Sequence, residues 1–586
     1  MAGIVLNGCA INEVHLNEAT NRISYRGPDG GGVKVLYNGT VGLGHRRLSI
    51  IDLSESGAQP MSNENGTIWI TFNGEIYNYK SLREILIAKG HRFKSHSDTE
   101  VLIHGYEEWG TGLLEKIAGM FAFAIWDENQ KHLFMARDRL GIKPLFYYHD
   151  DQTFIFGSEL KSFYPFPQFK RDISYNSVID YLNFSTIPAP ATIWNRTFKV
   201  KPGHYIIYRP NEKVSQQSYW TLTPSNRVID EEQATGEVNQ MLKNTVQSHL
   251  ESDVPVGLFL SSGYDSTALL AYMKAHNLDV NTFSIGFEKS QKTEHREAGW
   301  IASHFETTHH ELILGEEFLS ITEEMFDYYD EPYSVSSMIS FHYLSQMAAK
   351  HNKVVFAGDG GDEVFGGYRW YKYIDRDFSD RNVWSRIFRS STQDLRTFYK
   401  THYMKYMCMD ANWVKNLISE DANSHYPEDP LAIFDLSDDF WHLHPVKVFQ
   451  LLDYKFFVPD VALPRSDRSG MINSLEIRIP FLDHKLVEYT MQLDTHVYYK
   501  AGIKKFLLHE NIKSRLPNQI LELPKRGFGN PLEYFDRNRS IIISDLVSSR
   551  LLSASGLFKR LDLASYSKEQ LWLLYCLKCW YEKWAH

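Results

Sequence analysis

A short polar run between a predicted strand and a predicted helix has the residue types that bind phosphate. It reads L-S-S-G-Y-D-S and extends from Leu260 to Ser266. Small residues let backbone N–H groups approach an anion, and the start of a helix adds partial positive charge. The run lacks the glycine–lysine ending of a Walker P-loop, so we predict a phosphate-binding loop of another kind. An ordinary strand-to-helix turn is the alternative.

A second polar run combines acidic residues with glycine. It extends from Ala357 to Tyr368 and places three carboxylates among five glycines. Neighbouring carboxylates repel one another, and a cation offsets that cost. Mg²⁺ prefers one or two carboxylates together with phosphate oxygens. We therefore predict that Asp265 and Asp362 jointly hold Mg²⁺ on the pyrophosphate of a nucleotide. An exposed acidic loop is the alternative.

A third set of residues, near the N-terminus, has the groups that an α-amino acid needs. Arg47 can bind a carboxylate with both arms of its guanidinium. Glu75 and Asp98 can accept hydrogen bonds from an ammonium group. The Asn73 side chain and the Gly74 N–H can form an oxyanion hole, in which each donor contributes about 3 kcal/mol in the transition state. Ordinary turn and surface positions are the alternative.

The elements around this third set are short strands interrupted by helices. Within the first 160 residues, runs such as T-I-W-I-T-F-N-G-E-I-Y and M-F-A-F-A-I-W-D are aromatic or β-branched and bounded by turn residues. Apolar spacing predicts helices over residues 79–89 and 98–109. Proline density then rises, which indicates irregular chain. We predict a boundary near residue 212, with domains 1–212 and 213–586.

The second part alternates strands with helices. A polar helix is predicted over residues 231–250, and apolar strands near 254–260, 282–287 and 353–357. This alternation indicates a parallel α/β sheet, and ligands of such sheets bind at the carboxyl ends of the strands. Both polar runs described above follow such strands. Residues 371–445 are aromatic-rich and mostly helical by pattern, without a recognisable motif.

Composition excludes several classes of protein. The 586 residues are 43% hydrophobic and 23% charged with a net charge of −10, as in a globular protein of two to four domains. The acidic balance argues against a nucleic-acid binder. No run approaches 18 apolar residues, and we find no secretion signal. Four cysteines fit a reducing compartment, so we expect a cytoplasmic protein. We expect Cys576 and Cys579 to pack within a helix, without redox or zinc chemistry.

Motifs along nearly the whole chain resemble those of glutamine-dependent asparagine synthetases. The N-terminal part resembles the N-terminal-nucleophile glutamine amidotransferases, and the C-terminal part resembles the synthetase domain of the same enzymes. The motifs are R-G-P-D at 26–29, R-L-S-I at 47–50, N-G-E-I-Y-N at 73–78, S-D-T-E at 97–100, G-M-F-A-F-A at 119–124, the runs at 261–266 and 358–368, D-R at 467–468, S-L-E-I-R-I-P-F-L-D at 474–483 and K-R-G-F-G-N-P at 525–531.

The resemblance implies a fold and two coupled reactions. The fold is an N-terminal αββα sandwich of the Ntn-hydrolase type, followed by a parallel-sheet α/β nucleotide (PP-loop) domain with helical additions. Glutamine is hydrolysed in the first domain, and ammonia crosses an internal tunnel. In the second domain ATP adenylates a carboxylate, and ammonia displaces AMP to leave an amide. The implied ligands are glutamine, ATP, Mg²⁺ and a small carboxylate. Dimers are frequent among such enzymes, but the sequence does not determine whether this chain forms a homodimer.

The resemblance also assigns residues. Glutamine is bound by Arg47, Leu48, Ser49, Ile50, Ile51, Asn73, Gly74, Glu75 and Asp98. ATP is contacted by Leu260, Ser261, Ser262, Gly263, Asp265, Ser266, Ile285, Ala357 and Gly358, and Mg²⁺ is bound by Asp265 and Asp362. Asp359 assists adenylation or attack by ammonia, and Lys525 faces the α-phosphate.

Ala2 departs from the family at the position of the catalytic nucleophile. Relatives have a cysteine there whose own α-amine serves as the base. Without a thiol no glutamyl thioester forms, so we predict that the glutaminase step is inactive. An engineered replacement of cysteine is the favoured explanation, because Arg47 and Asp98 remain in place. A natural ammonia-dependent enzyme is the alternative. In both cases the synthetase half should accept free ammonia.

The carboxylate acceptor is less well determined. Aspartate is the first choice. Ser262, Tyr264 and Leu523 depart from the usual family residues near the second site. These departures put aspartate in doubt without indicating its replacement. The alternative is the amidation of another carboxylate, such as a sugar uronic acid in surface-polysaccharide assembly. A pseudoenzyme that binds glutamine or ATP without turnover is a further hypothesis.

Overall fold

The computed structural model describes residues 1–288, 294–315, 318–385, 392–427, 429, 431–500, 503–516, 518–521 and 532–585. Its strands, in chain order, are β1 Ala2–Leu6, β2 Gly30–Leu36, β3 Val41–Arg47, β4 Met61–Ser62, β5 Ile68–Ile76, β6 Gly119–Asp127, β7 His132–Arg137, β8 Phe146–His149, β9 Thr153–Gly157, β10 Thr197–Lys199, β11 His204–Tyr208, β12 Gln217–Ser218, β13 Val256–Phe259, β14 Asn281–Phe287, β15 Thr308–Leu314, β16 Val354–Phe356 and β17 Glu476–Arg478.

The helices alternate with these strands and dominate the last third of the chain. They are α1 Glu13–Asn21, α2 Tyr79–Ala88, α3 Asp98–Trp109, α4 Leu113–Lys116, α5 Tyr175–Phe184, α6 Glu231–His249, α7 Tyr264–Lys274, α8 His295–His304, α9 Phe318–Met325, α10 Ser337–Ala348, α11 Gly361–Phe365, α12 Arg369–Ser385, α13 Thr392–Met407, α14 Ala411–Leu417, α15 Glu420–Ser424, α16 Pro445–Leu452, α17 Leu463–Ile472, α18 His484–Gln492, α19 Thr495–Tyr498, α20 Phe506–Ile512, α21 Asn518–Leu521, α22 Leu532–Arg537, α23 Arg539–Ser548, α24 Arg550–Ala554 and α25 Lys568–Trp584.

Two antiparallel sheets form the N-terminal part. Their strand orders are β10-β8-β9-β1-β3-β2 and β12-β11-β7-β6-β5-β4. Alternate residues of β1 face opposite sides: Val5 packs between the sheets, whereas Ile4 belongs to a core with helices α1 and α5. Helices α2 and α3 cover the outer face of the other sheet. These four layers confirm the predicted αββα sandwich.

A five-stranded parallel sheet forms the centre of the second part. Its order is β15-β14-β13-β16-β17, and all four pairings are parallel. The predicted strands near 254–260, 282–287 and 353–357 correspond to β13, β14 and β16. The edge strands β15 and β17 were not predicted. Because all strands run the same way, their carboxyl ends meet at one edge of the sheet.

The C-terminal helix joins the two parts into one core. Helix α25 packs against α5, where the Tyr181 hydroxyl donates to the Leu573 carbonyl at 2.8 Å. Cys576 and Cys579 are buried in this helix as free thiols, as predicted.

The N-terminal sheet continues a few residues beyond the predicted boundary near residue 212. Strand β12, Gln217–Ser218, still pairs with β11 of the N-terminal sheet, and the next helix begins at Glu231. The boundary therefore stays a prediction.

Among the described residues, none of the helices combines the length and apolar character needed to cross a membrane.

Candidate active sites

Ala2 lies in the central strand of the first sheet. It pairs with Gly44 on one side and Gly157 on the other, and its side chain is fully buried. The preceding Met1 nitrogen donates to the Ser158 hydroxyl at 3.2 Å, and the Asn73 amide donates to the same hydroxyl at 3.3 Å. The backbone thus brings the start of the chain next to Asn73. The methyl group of Ala2 supplies no nucleophile.

An open cavity of about 690 Å³ lies beside this strand. Most of the residues predicted to bind glutamine line it, namely Arg47, Leu48, Ile50, Ile51, Asn73, Gly74, Glu75 and Asp98. Ser49 is not among the lining residues, and its backbone N–H donates to Asp29. Met471 and Glu476 of the second part also line the cavity. Sequence reasoning missed these two, because nothing near them in the sequence indicates proximity to residues 47–98.

Two buried carboxylates give the cavity its electrostatic character. Burial raises the pKa of Glu75, and the nearby Arg478 guanidinium, 3.3 Å from Glu75 Oε1, opposes that rise. The other oxygen, Oε2, has no hydrogen-bond partner among the described residues. Burial likewise raises the pKa of Asp98 to about 6, while Asp98 Oδ2 accepts from the Ile76 N–H at 2.8 Å. A bound ammonium group would stabilise the ionised form of both.

Arg47 ends strand β3 at the wall of the cavity. Its guanidinium donates to the backbone carbonyls of Asp52 and Ser54, the latter at 2.6 Å. These contacts hold the guanidinium in place, although part of its fork is used on the loop. The Arg47 guanidinium is therefore an oriented cation at the edge of the cavity, where it could bind the carboxylate of an amino acid.

Gly74 has a backbone conformation that only glycine adopts readily. Its φ is +146°, and a Cβ there would lie 2.0 Å from the Met120 carbonyl oxygen. The close approach of β5 and β6 at this point explains the glycine. Asn73 next to it lines the cavity, so the two predicted oxyanion donors are adjacent to the start of β1.

In the second part, the predicted phosphate loop leads from β13 into α7. Ser261 and Ser266 hydroxyls lie 3.0 Å apart, and the Gly263 N–H donates to Ser261 Oγ at 3.1 Å. Gly263 has a φ of −81°, and Ser262 is not in the positive-φ region. A serine at position 262, where the family usually has another residue, therefore carries no positive-φ strain.

Glycines let the acidic loop approach the phosphate loop. A Cβ at Gly361 would lie 2.3 Å from Asp265 Oδ1, and one at Gly358 would lie 3.1 Å from the Ser266 backbone nitrogen. Ala357 follows β16, and Ile285 lies in β14 beside β13. The carboxyl ends of the strands thus gather most of the residues predicted to contact ATP.

Lys505 joins the two predicted Mg²⁺ ligands. Its ammonium contacts Asp265 and lies 3.0 Å from Asp362, and its side chain is almost fully buried. Lys505 has a φ of +49° at the start of α20, a conformation that is costly for a lysine. Two carboxylates therefore converge on one cationic position, and their oxygens are the donors that Mg²⁺ prefers. Sequence reasoning missed Lys505, because its partners lie far away in the chain.

Asp359, on the acidic loop, is held by helix α17. Its two oxygens accept hydrogen bonds from Arg465 Nη2 and Ser466 Oγ, each at 2.7 Å. Both bonds orient the carboxylate. Lys525, which we predict to act beside it, and Leu523 lie outside the described residues.

Helix α17 also reaches toward the first cavity. Met471 near its end lines that cavity, and Leu463 and Asp467 line a second cavity of about 600 Å³ between the two parts of the chain. Asp467 accepts a bidentate pair of hydrogen bonds from Arg26, at 2.8 and 3.0 Å. Helix α17 therefore contributes to both cavities and, through Arg465 and Ser466, also holds Asp359 of the second site.

Comparison with known proteins identifies the family. The profile of a glutamine amidotransferase domain matches residues 1–220, and that of asparagine synthase matches residues 237–582. The glutamine-hydrolysing asparagine synthetases 1 and 3 of Bacillus subtilis (strain 168) are each 31% identical, over 90% and 88% of this chain and 86% and 83% of their own lengths. Amidase chry2 of Gibberella zeae is 29% identical over 91% of this chain and 87% of its own. The chain belongs to the asparagine synthase family of ATP-dependent ligases that use glutamine as the amide donor.

Proposed function

We propose that this chain converts aspartate to asparagine with ATP and free ammonia, and that its glutaminase step is silent. The observation that carries the proposal is the gathering of Asp265, Asp362 and Lys505 beside the phosphate loop, with Asp359 held by two hydrogen bonds nearby. Such a constellation binds a triphosphate and stabilises charge that develops on it.

Alanine at position 2 supports the silent glutaminase. Glutamine hydrolysis in this architecture needs a nucleophile at the start of β1, and a methyl group cannot form the acyl intermediate. The cavity around it keeps Arg47, Glu75 and Asp98. We therefore expect glutamine to bind without being hydrolysed.

The synthetase residues support adenylation followed by amidation. A carboxylate oxygen of the acceptor attacks the α-phosphorus and pyrophosphate leaves; ammonia then attacks the acyl carbon and AMP leaves. Asp265 and Asp362 would hold Mg²⁺, which when bound neutralises phosphate charge. Lys505 supplies a fixed positive charge beside the pyrophosphate position, and Lys525 is assigned to the α-phosphate. Asp359, oriented by Arg465 and Ser466, is placed to accept a proton from the attacking nitrogen.

Ammonia has a candidate route between the two sites. The cavity lined by Leu463 and Asp467 of helix α17 lies between the two parts of the chain, and Asp467 binds Arg26, which lines the first cavity. A buried passage protects ammonia from protonation by bulk water. With Ala2 in place, the ammonia that uses this route enters from solution.

A second acceptor class is supported by the surroundings of the phosphate loop. The Tyr264 hydroxyl donates to the Leu521 carbonyl, immediately before the segment that contains Leu523. Tyr264, one of the departures from the usual family residues, therefore lies at the start of α7 within the phosphate loop. A relative of similar identity is named an amidase. These observations favour, as the alternative to aspartate, another carboxylate such as a sugar uronic acid.

The test is to incubate the chain with Mg-ATP, ammonium and L-aspartate and to follow pyrophosphate and asparagine. Ammonium bypasses Ala2, so the missing thiol cannot affect the result. We expect asparagine in a one-to-one ratio with pyrophosphate. Pyrophosphate release with a uronic acid but not with aspartate would select the alternative acceptor. ATP binding without turnover by either would contradict the proposal and favour a non-catalytic role. Full ammonia-dependent AMP formation by Lys525→Ala would contradict the role assigned to Lys525.

A further inference from the structure

A cluster of histidines and glutamates lies on the outer side of the N-terminal part, away from both candidate sites. His104 and Glu107 are one turn apart on α3, and His91 lies in the loop before that helix. His104 Nδ1 is 2.8 Å and His91 Nδ1 is 3.7 Å from the same atom, Glu107 Oε2. One ligand atom from each of the three residues falls within 4.8 Å of the others. Two imidazole nitrogens and a carboxylate oxygen therefore converge on one point.

Each imidazole has a second carboxylate behind it. His104 Nε2 faces Glu100 Oε1 at 3.7 Å, and His91 Nε2 faces Glu108 Oε2 at 3.5 Å. Histidines that bind metals usually donate their other ring N–H to a carboxylate, which fixes the ring and makes the ligating nitrogen more basic. Here a carboxylate lies behind each ring, although both distances are longer than an ordinary hydrogen bond. Glu107 is oriented as well, because the Asn63 amide donates to its Oε1 at 2.7 Å.

A positive charge at the centre of the cluster would stabilise the groups that face one another there. The His104 side chain is 1% exposed, and within the described part of the chain its Nε2 has no partner at full hydrogen-bond distance. Glu100 is held in place, because its two carboxylate oxygens accept hydrogen bonds from the Lys94 and Ser95 N–H groups, each at 2.8 Å. If Nε2 carries a proton toward Glu100, the lone pair of Nδ1 points at Glu107 Oε2. That contact is repulsive unless a proton or a metal ion lies between them.

We infer that His91, His104 and Glu107 form a binding site for a divalent transition-metal ion of the Zn²⁺ type, with an open fourth position. Zinc–ligand bonds of about 2.0–2.2 Å place tetrahedral ligand atoms about 3.3 Å apart, so small side-chain rotations complete the site. The ion would tie the loop after α2 to helix α3. That loop ends at Ser97, next to Asp98 of the first cavity.

The experiment is a Co²⁺ titration of the untagged full chain after treatment with a chelator, followed by Zn²⁺ competition. We expect one Co²⁺ per chain with visible ligand-field absorption, which Zn²⁺ displaces. His91→Gln removes a partly exposed ligand and should weaken metal affinity at least ~10-fold, and Glu108→Gln should weaken it ~10-fold or more through the outer contact. Zn²⁺ should raise the melting temperature of the parent chain but not that of His91→Gln.

The matched control is His96→Gln, because His96 is an exposed histidine of the same loop outside the cluster. It should keep the Co²⁺ spectrum and the Zn²⁺ response. Circular dichroism shows that each variant is folded before its affinity is compared. Absence of Co²⁺ absorption would overturn the inference and leave a proton as the central charge. Binding that survives His91→Gln would also overturn it, because the ion would then lie elsewhere.

Discussion

At the scale of single residues, Ala2 and Asp98 belong to two different parts of the chemistry proposed for the first site, glutamine hydrolysis and glutamine binding. Ala2 occupies the strand position where a nucleophile would stand, between Gly44 and Gly157. Asp98 is buried, and its carboxylate is oriented by the Ile76 N–H. The two residues act in different steps, so each can be tested separately.

Ala2→Cys should restore glutamine hydrolysis. The substitution supplies a thiol at the residue after Met1, whose nitrogen shares the Ser158 hydroxyl with the amide of Asn73. Because loss of a nucleophile costs up to about 10⁶-fold, we expect glutamate release to rise at least ~10³-fold. The measurement is glutamate release, and mass spectrometry verifies that Met1 has been removed. Alkylation of the new thiol should abolish the increase in glutamate release. If the processed variant, with the α-amine of its new cysteine free, binds glutamine but releases no glutamate, the site is not a silenced glutaminase.

Glutamine affinity should depend on pH through Asp98. Burial raises the pKa of Asp98 to about 6, and a glutamine ammonium binds only the ionised carboxylate. Affinity should therefore fall as pH drops below about 6 and reach a plateau above it. Calorimetric titrations between pH 5 and 8 measure this dependence. Asp98→Asn should bind glutamine weakly, with little change over the same range; an equally steep profile in that variant would assign the titration to another group.

At the scale of elements, sequence patterns predicted those parts whose determinants are local. Helix α3 and strands β13, β14 and β16 follow from periodicity and turn residues, and the phosphate loop follows from small residues between a strand and a helix. Strand β17 was missed because it is defined by pairing with β16, which lies far earlier in the chain. Lys505 was missed for the same reason, since only tertiary packing brings it to Asp265 and Asp362.

The approach of the acidic loop to the phosphate loop can be tested at Gly361. A Cβ there would lie 2.3 Å from Asp265 Oδ1, so Gly361→Ala must displace that carboxylate. Displacements of about 1 Å at a reacting centre cost about 100-fold, and we expect a loss of that size in kcat/KM for ammonia-dependent pyrophosphate release. Gly236→Ala is the matched control, because a Cβ in that helix meets nothing within 4 Å among the described residues. Equal activities of the two variants would contradict the close approach.

At the scale of the whole molecule, buried charges connect the two parts of the chain. Arg26 binds Asp467 with two hydrogen bonds and also contacts Glu159 at 2.8 Å. On the surface, Lys80 and Glu251 form another pair between the same two parts, but the lysine side chain is 62% exposed. Burial decides the energetic weight of such pairs, since an exposed pair is screened by water whereas a buried partner left alone keeps its full desolvation cost.

Breaking the buried pair should therefore destabilise the chain far more than breaking the exposed one. Asp467→Ala leaves Arg26 partly uncompensated in the interior, and we expect a loss of about 3–5 kcal/mol in the free energy of unfolding. Lys80→Ala should cost less than about 1 kcal/mol. Urea unfolding curves, recorded by tryptophan fluorescence and by circular dichroism, measure the free energy of unfolding of each variant. If the fluorescence and circular dichroism curves of Asp467→Ala have different midpoints, the two parts of the chain unfold separately. If both variants lost the same small amount, the Arg26–Asp467 pair would be as solvated as the surface pair. Helix α17 would then not be anchored to the first cavity, and the proposed route for ammonia along it would lose its support.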